Sequence, residues 1–462
     1  MKFVADAVGG KILCGTAETL VSRVCTDSRQ AQAGDLFFAI KGDKFNGHDF
    51  LGELAAKKVA VVVIARARQP GKLPDCAVII VDDPRVALGR LATAYRAQFT
   101  LPVIAVGGSN GKTTTKELIA AVLRQKFSTL WSEASFNNDI GVPLTLLQLT
   151  AVHQVAVLET GTNHPGELAP LVKMVQPKLG VITNIGREHL EFFGDLAGVA
   201  QEEGALAELL PVAGKLFLNG DDEWSTQIAK RATAKVARVG LNEGNCWRAT
   251  GVRFDKRGMS FKVIVAKPEL SGDYWINLLG RHQVVNALFA IAIGAELGLA
   301  REDIQRGLAE CQPAKSRLQL WEAGGVTVLD DCYNANADSM LAALQVLSEL
   351  FCKGHRLAVL GDMAELGATS AAAHAEIGRF AAELGVGQLL AVGKNANVMA
   401  AAARAAGLNR VLEFADVEAV ATGIKSLVKP GDVVLLKASR SVKLERVAEV
   451  LKMEVSGKCF FT

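Results

Sequence analysis

The sequence predicts an α/β protein of three domains, and three observations predict it. Short apolar runs alternate with stretches of helical periodicity along most of the chain, which implies mainly parallel sheets. The 462 residues exceed one ordinary core and suggest about three. The alternation is punctuated at Asp82-Asp83-Pro84 and at Pro313 to Arg317. Domains are therefore expected at 1–84, 85–313 and 314–462, the first a small α/β unit, the second with a mainly parallel sheet, the third Rossmann-like.

In the first domain, Asp35 to Ile40 and Val59 to Ile64 read as strands, with a helix from Gly47 to Lys58 between them. A helix over Val86 to Phe99 opens the second domain. Strands follow at Pro102 to Ala105, Val155 to Glu159 and Leu179 to Ile185. Cys246 to Leu279 has an antiparallel character, and Gly280 to Leu299 is an alanine-rich helix. From about residue 319 the βα alternation restarts, with strands at Val326 to Leu329, Arg356 to Leu360, Gln388 to Val392 and Val433 to Leu436.

The apolar run Pro102 to Ala105 leads into Gly107-Gly108-Ser109-Asn110-Gly111-Lys112-Thr113-Thr114, a strand entering a phosphate loop that opens a helix, Thr113 to Phe127. Glycines let backbone N–H groups face phosphate oxygens, Lys112 adds a point charge and the Thr113 hydroxyl suits Mg²⁺. Val106 stands where the longer loop pattern has glycine, so this is the shorter G-x-x-G-K-T-T form. In a parallel sheet, ligands gather at the carboxyl ends of strands. The loop, Glu159 and Asn184 should share such an edge, with Glu159 placed to complete a cation shell. Asn138, in Phe136-Asn137-Asn138-Asp139-Ile140-Gly141, lies in a polar loop running into a helix.

Composition narrows the class further. A net charge of +3 and the lack of a long basic run interleaved with aromatics argue against nucleic acid. Eight cysteines, at 14, 25, 76, 246, 311, 332, 352 and 459, form no C-x-x-C pair and read as reduced, mostly buried thiols. No run reaches the roughly 18 apolar residues of a membrane span, and Met1-Lys2-Phe3-Val4-Ala5-Asp6 has no long apolar segment after its lysine. A cytoplasmic monomer is expected.

Taken together and in order, G-S-N-G-K-T-T-T, F-N-N-D-I-G-V-P-L, E-T-G, N-I-x-x-x-H-L, G-R-H-x-x-x-N-A, D-D-x-Y-N-A-N and L-K-A-S-R resemble the motif set of the ATP-dependent Mur ligases of peptidoglycan synthesis. The resemblance covers all three domains. It implies ATP and two Mg²⁺ ions, with the phosphates cradled by Gly108, Ser109, Asn110, Gly111, Lys112, Thr113 and Thr114, and Asn138 nearby. It also implies Asn286 at adenine, and Arg317 and Asp331 approaching the γ-phosphate and ribose. Thr113, Glu159 and His189 would serve the metals. Lys112, His189, Arg317 and Lys437 are the candidate catalytic residues. Ser28, Arg29, Lys41, Phe45 and Asn46 resemble a UDP-sugar site, while Tyr333, Asn334, Asn336, Ser439 and Arg440 would face the incoming dipeptide.

Segments 26–48, 330–340 and 360–367 favour the family branch that joins D-alanyl-D-alanine to UDP-N-acetylmuramoyl tripeptide. A related folylpolyglutamate synthetase would leave 26–48 without a role. A neighbouring ligase of the same family is disfavoured by the other two segments. A phosphate-loop switch that hydrolyses nucleotide is the reading from another class, and it lacks a guanine-reading N-K-x-D.

Two positions depart from the family pattern. Glu203 stands where the family commonly has a carbamylated lysine that helps hold a second Mg²⁺; it either supplies that charge without CO₂ or is a solvated helix residue. Ala438 replaces a glycine, so the backbone there must avoid positive φ.

Overall fold

The computed structural model describes residues 1–69, 75–255 and 258–453. It contains three sheets, as the alternation predicts. The N-terminal sheet has five strands in the order Lys11–Cys14, Ala77–Val81, Val61–Ala65, Leu36–Phe38, Val24–Cys25, parallel except for the first pair. The expected Gly47 to Lys58 helix is a single turn of 3₁₀ helix at Gly47–Phe50 followed by Leu51–Ala56. The helix Pro84–Arg96, capped by Asp83, serves two cores. Ala87, Leu88 and Leu91 pack with Val8, Leu36 and Val61, whereas Ala92 packs with Val103 and Val172 in the next unit.

The central sheet has nine strands, Gly272–Ile276, Gly258–Val265, Trp247–Asp255, Lys235–Gly240, Lys215–Asn219, Leu179–Ile182, Val103–Gly107, Val155–Glu159 and Thr129–Trp131 in spatial order. Its first two pairings are antiparallel and the rest parallel. Near-continuous Val, Ile, Leu and Ala in the middle strands fit a sheet covered on both faces. Helices Lys112–Leu123, Arg281–Glu296 and Arg301–Glu310 bury Ile119, Val122, Phe289 and Ile304 against one face. Helices Leu168–Val175 and Leu196–Glu203 cover the other.

The C-terminal sheet orders as Gln319–Ala323, Val326–Asp330, Val433–Lys437, Arg356–Gly361, Gln388–Val392, Val411–Phe414, parallel except for its first pair. The segment 313–318 that joins it to the central unit is irregular, with positive φ at Ser316 and Leu318. Ala438 is fully buried and absent from the positive-φ residues.

The expectation of mostly buried thiols fails. Of the seven described cysteines, all free, only Cys25, Cys311 and Cys332 are buried; Cys14 and Cys246 are exposed, Cys14 on an edge strand and Cys246 in a turn. Cys459 lies outside the described residues. No described helix is long and apolar enough to cross a membrane.

Candidate active site

Register builds the site. Val106 pairs with Glu159 on one side and Gly107 with Ile182 on the other. The phosphate loop, Glu159 and the segment that starts at Thr183 therefore leave the sheet at one edge, where open α/β sheets bind ligands. Gly108 and Gly111 adopt φ of 105° and 83°, the left-handed region that favours glycine. A side chain at Gly111 would also meet Asn286 at 2.8 Å. Asn184 ties the loop down, accepting from the Asn110 N–H at 3.0 Å.

The helix that follows holds Lys116 fully buried, its ammonium donating to the Ser132 and Ala134 carbonyls at 2.6 and 2.8 Å. Those bonds pin the stretch that presents Ser135, whose hydroxyl lies 3.2 Å from Thr113 Oγ1 and accepts from Arg317 at 3.3 Å. A residue of the C-terminal unit thus meets the loop helix through one serine.

The cleft between the two units has a volume of about 780 Å³. Residues 109–114, Glu159, His189, Asn286, Arg317, Asp331, Tyr333, Asn334, Asn336, Lys437, Ser439 and Arg440 all line it. Several are already engaged. Lys437 donates to Asp331 at 2.5 Å and to the Asn334 carbonyl at 3.0 Å. Burial pushes the Asp331 carboxyl up, partly offset by Lys437. The Ser439 hydroxyl bridges the Ala335 carbonyl and the Ala364 N–H. Arg317 lies over the Tyr333 ring at 4.2 Å. Asn286 donates to Gln283 at 2.8 Å. His282, also in the lining, is pushed down to about 4 by burial and by Lys437.

The acids around Lys112 dominate the electrostatics. Burial disfavours the charged ammonium, but Glu188, Glu203 and Glu159 outweigh it and raise its pKa. Glu159 accepts from Asn137 at 2.8 Å through one oxygen, and its other oxygen has no partner. Glu203 is not solvated: its exposure is 0%. It lies behind the loop, outside the cleft lining, and accepts from the Gly108 N–H at 2.6 Å. Its second oxygen is unpartnered. Burial, opposed by Lys112, pushes its carboxyl up to about 7.

Other expected residues stand elsewhere. Asn138 is exposed and accepts from the Gly141 N–H at 2.9 Å in the turn that leads into the helix Gly141–Leu146; its neighbour Asn137 is the one in the cleft. Ser28, Arg29, Lys41, Phe45 and Asn46 gather in the N-terminal unit, away from that lining. The Ser28 carbonyl accepts from Lys57, Arg29 pairs with Asp27, and Phe45 is 74% exposed. Lys41 and Asn46 bridge the base of their loop, and Asn46 accepts from the His48 N–H and ring.

Sequence reasoning missed Glu188 and Glu365. Glu188 pairs with Lys112, and Glu365 of the C-terminal unit pairs with His189 Nδ1. Arg187 reaches across the same seam to Asp338 at 2.7 Å and Glu376 at 2.5 Å. Asn336 donates to Asn110 at 2.9 Å.

Three family models match this chain: the Mur ligase family catalytic domain over 20–96, the Mur ligase middle domain over 106–294, and the Mur ligase glutamate ligase domain over 316–440. The chain belongs to the Mur ligase family. Among the relatives of this Mur ligase, the UDP-N-acetylmuramoyl-tripeptide--D-alanyl-D-alanine ligase of Escherichia coli K12 is 38% identical, with 96% of each chain covered. The ligase of that name from Bacillus subtilis 168 is 33% identical, with 98% of each covered. Among solved structures, MurF from Acinetobacter baumannii superposes with a TM-score of 0.89 at 33% identity, covering 98% of each chain. MurF from Thermotoga maritima in complex with ADP gives 0.82 at 25% identity, covering 95% of this chain and 99% of that one.

Proposed function

We propose that this Mur ligase joins D-alanyl-D-alanine to UDP-N-acetylmuramoyl tripeptide at the expense of ATP, in cytoplasmic peptidoglycan precursor synthesis. The observation that carries the reading is near-full-length similarity to ligases of that name, and the cleft's chemistry agrees with it. The terminal carboxylate of the tripeptide attacks the γ-phosphorus of ATP, and ADP leaves. The amine of the dipeptide then attacks the acyl phosphate carbon, and the tetrahedral adduct expels phosphate as the amine gives up its proton. No protein nucleophile is required. Catalysis is positioning plus neutralisation of charge on the transferred group.

The loop amides from Gly108 to Thr114 and Lys112 hold the phosphates in this scheme. Asn286 takes adenine, and Arg317 and Asp331 take the γ-phosphate and ribose. Lys437, Arg440, Tyr333, Asn334 and Asn336 face the dipeptide; Ser439 supports them from behind, since its hydroxyl is already shared. Ser28, Arg29, Lys41, Phe45 and Asn46 hold the UDP-sugar. Residues 1–84, 85–313 and 314–462 are accordingly the UDP-substrate, ATP and dipeptide domains of a monomer.

Mg²⁺ suits the residues present. Among the described residues no three His, Cys, Asp or Glu side chains converge to hold a cation unaided. Mg²⁺ instead keeps waters and takes one or two carboxylates with substrate phosphates. The bare buried oxygens of Glu159 and Glu203 are donors of the right hardness. Thr113 and Glu159 would hold one ion and His189, released from Glu365, a second, which Glu203, behind the loop, would reach only through water. Bound there, Mg²⁺ would offset negative charge on the phosphoryl group.

Incubation of the purified protein with ATP, Mg²⁺, UDP-muramoyl tripeptide and D-alanyl-D-alanine should give the pentapeptide by mass spectrometry, with ADP and phosphate. Phosphate release that ignores both other substrates would overturn the reading.

A further inference from the structure

The ammonium of Lys112 is fully subscribed. It donates to the Gly108 carbonyl at 2.5 Å, the Ser109 carbonyl at 3.2 Å and Glu188 Oε2 at 3.3 Å. An ammonium has three N–H groups, so none is left for a phosphate until one of these partners yields. The two carbonyls belong to the loop itself. Glu188 is the partner that carries charge. It is 7% exposed, it lines the cleft, and its other oxygen, Oε1, is buried without a partner. It also occupies a variable position of N-I-x-x-x-H-L, so the family pattern gives it no role.

A phosphate drawn to Lys112 cannot avoid this carboxylate. Glu188 lies 3.3 Å from the ammonium on one side, and a phosphate oxygen would lie about 2.8 Å away on another. The two anions are then within about 6 Å, where like charges at an effective dielectric of about 20 shift a binding constant by more than tenfold. Glu159 and Glu203, each with one bare oxygen, make the surroundings more negative still. One lysine cannot neutralise three carboxylates and a triphosphate.

We propose that Glu188 is a specificity-determining residue that makes the cleft accept triphosphate complexed to a divalent cation and reject the free anion. In the resting cleft it holds Lys112. When nucleotide arrives the long bond to the Ser109 carbonyl yields its N–H to the phosphate, Glu188 remains beside the shared ammonium, and its repulsion is cancelled only if a cation enters with the phosphates. The inference rests on the assignment of the cleft to ATP.

The test is ATP binding by calorimetry, in EDTA and in saturating Mg²⁺, to the full-length wild type, Glu188→Gln, Glu188→Ala and Lys112→Ala, with melting curves to establish folding. Wild type should bind far more weakly in EDTA. Both Glu188 variants should tighten binding in EDTA by about tenfold or more while changing Mg²⁺-ATP binding by less than about threefold; the alanine variant removes any hydrogen bond a glutamine would keep to Lys112. Binding in EDTA that is unchanged or weaker in both folded variants overturns the proposal. A loss confined to Mg²⁺-ATP also overturns it, because it would make Glu188 a metal ligand or a support for Lys112. If wild type and Lys112→Ala bind ATP equally or not at all under both conditions, the nucleotide assignment itself falls.

Discussion

Replacing Glu203 by glutamine should change how stability depends on pH. The carboxyl is pushed from 4.5 up to about 7 by burial behind the phosphate loop. Its folded pKa lies above its unfolded one, so between the two values the folded chain keeps a proton that the unfolded chain has released. The stabilisation is complete below pH 4.5 and lost as pH rises through 7. At 1.36 kcal/mol per unit, the loss is on the order of 3 kcal/mol. Glutamine keeps an acceptor for the Gly108 N–H and carries no charge. Thermal melts in EDTA without nucleotide, from pH 5 to pH 8.5, should therefore show Glu203→Gln gaining on wild type. The gain expected is about 6–12 °C at 2–4 °C per kcal/mol for a domain of this size. Parallel profiles would refute the argument and place Glu203 among ordinary carboxylates. Wild-type turnover should meanwhile be indifferent to removal of CO₂, since no carbamate has to form.

Lys112→Ala should lower turnover by about 10³-fold or more and also lower the melting temperature at neutral pH, because it leaves the buried carboxylate of Glu188 without its cation; near-normal ligation would remove the loop from the site. Asn46→Ala should cost about 1 kcal/mol in the 41–48 loop by losing its bonds to His48, and raise KM for the UDP-substrate while leaving ATP binding alone. Equal losses for both ligands would count against separate domains for the two. Arg187→Ala cuts the partly exposed pairs to Asp338 and Glu376, so the domains should open by about fivefold in equilibrium, or about 1 kcal/mol. Small-angle scattering should then show a larger radius of gyration without substrates, and an unchanged radius would show that these pairs do not hold the seam.

Much of this was legible where one physical rule dominated. The apolar runs Val155–Glu159 and Gln388–Val392 became strands at the expected residues, because buried parallel strands need little more than a short Val, Leu and Ala run between turns. The loop helix ends at Leu123 rather than Phe127, and residues 124–127 close it through turn bonds. Val24–Cys25 and Thr129–Trp131 are strands of two and three residues, too short to show a period. Glu203 was half legible: Gln201-Glu202-Glu203 left a solvated helix face open beside a role at the site, and only the stacking of that helix behind the loop buries its last residue. Glu365 is 176 residues from its partner His189, and no local pattern records such a meeting.

The charge balance of the cleft explains why the site is divided between two domains. The central side sets three buried carboxylates against one lysine, which alone would repel both a triphosphate and a substrate carboxylate. The C-terminal side brings Arg317, Lys437 and Arg440 to the same cleft, with Asp331 already paired to one of them. The seam between the two units therefore does two things at once, bringing positive charge to the cleft and fixing orientation. Arg187, His189 and Asn110 hold the seam from the central side through Asp338, Glu376, Glu365 and Asn336. Two of those three, Asn110 and His189, are also expected to meet phosphate or metal. Binding would then exchange contacts across the seam for contacts to substrate, so that occupancy of the cleft and the strength of the seam are coupled through the same side chains.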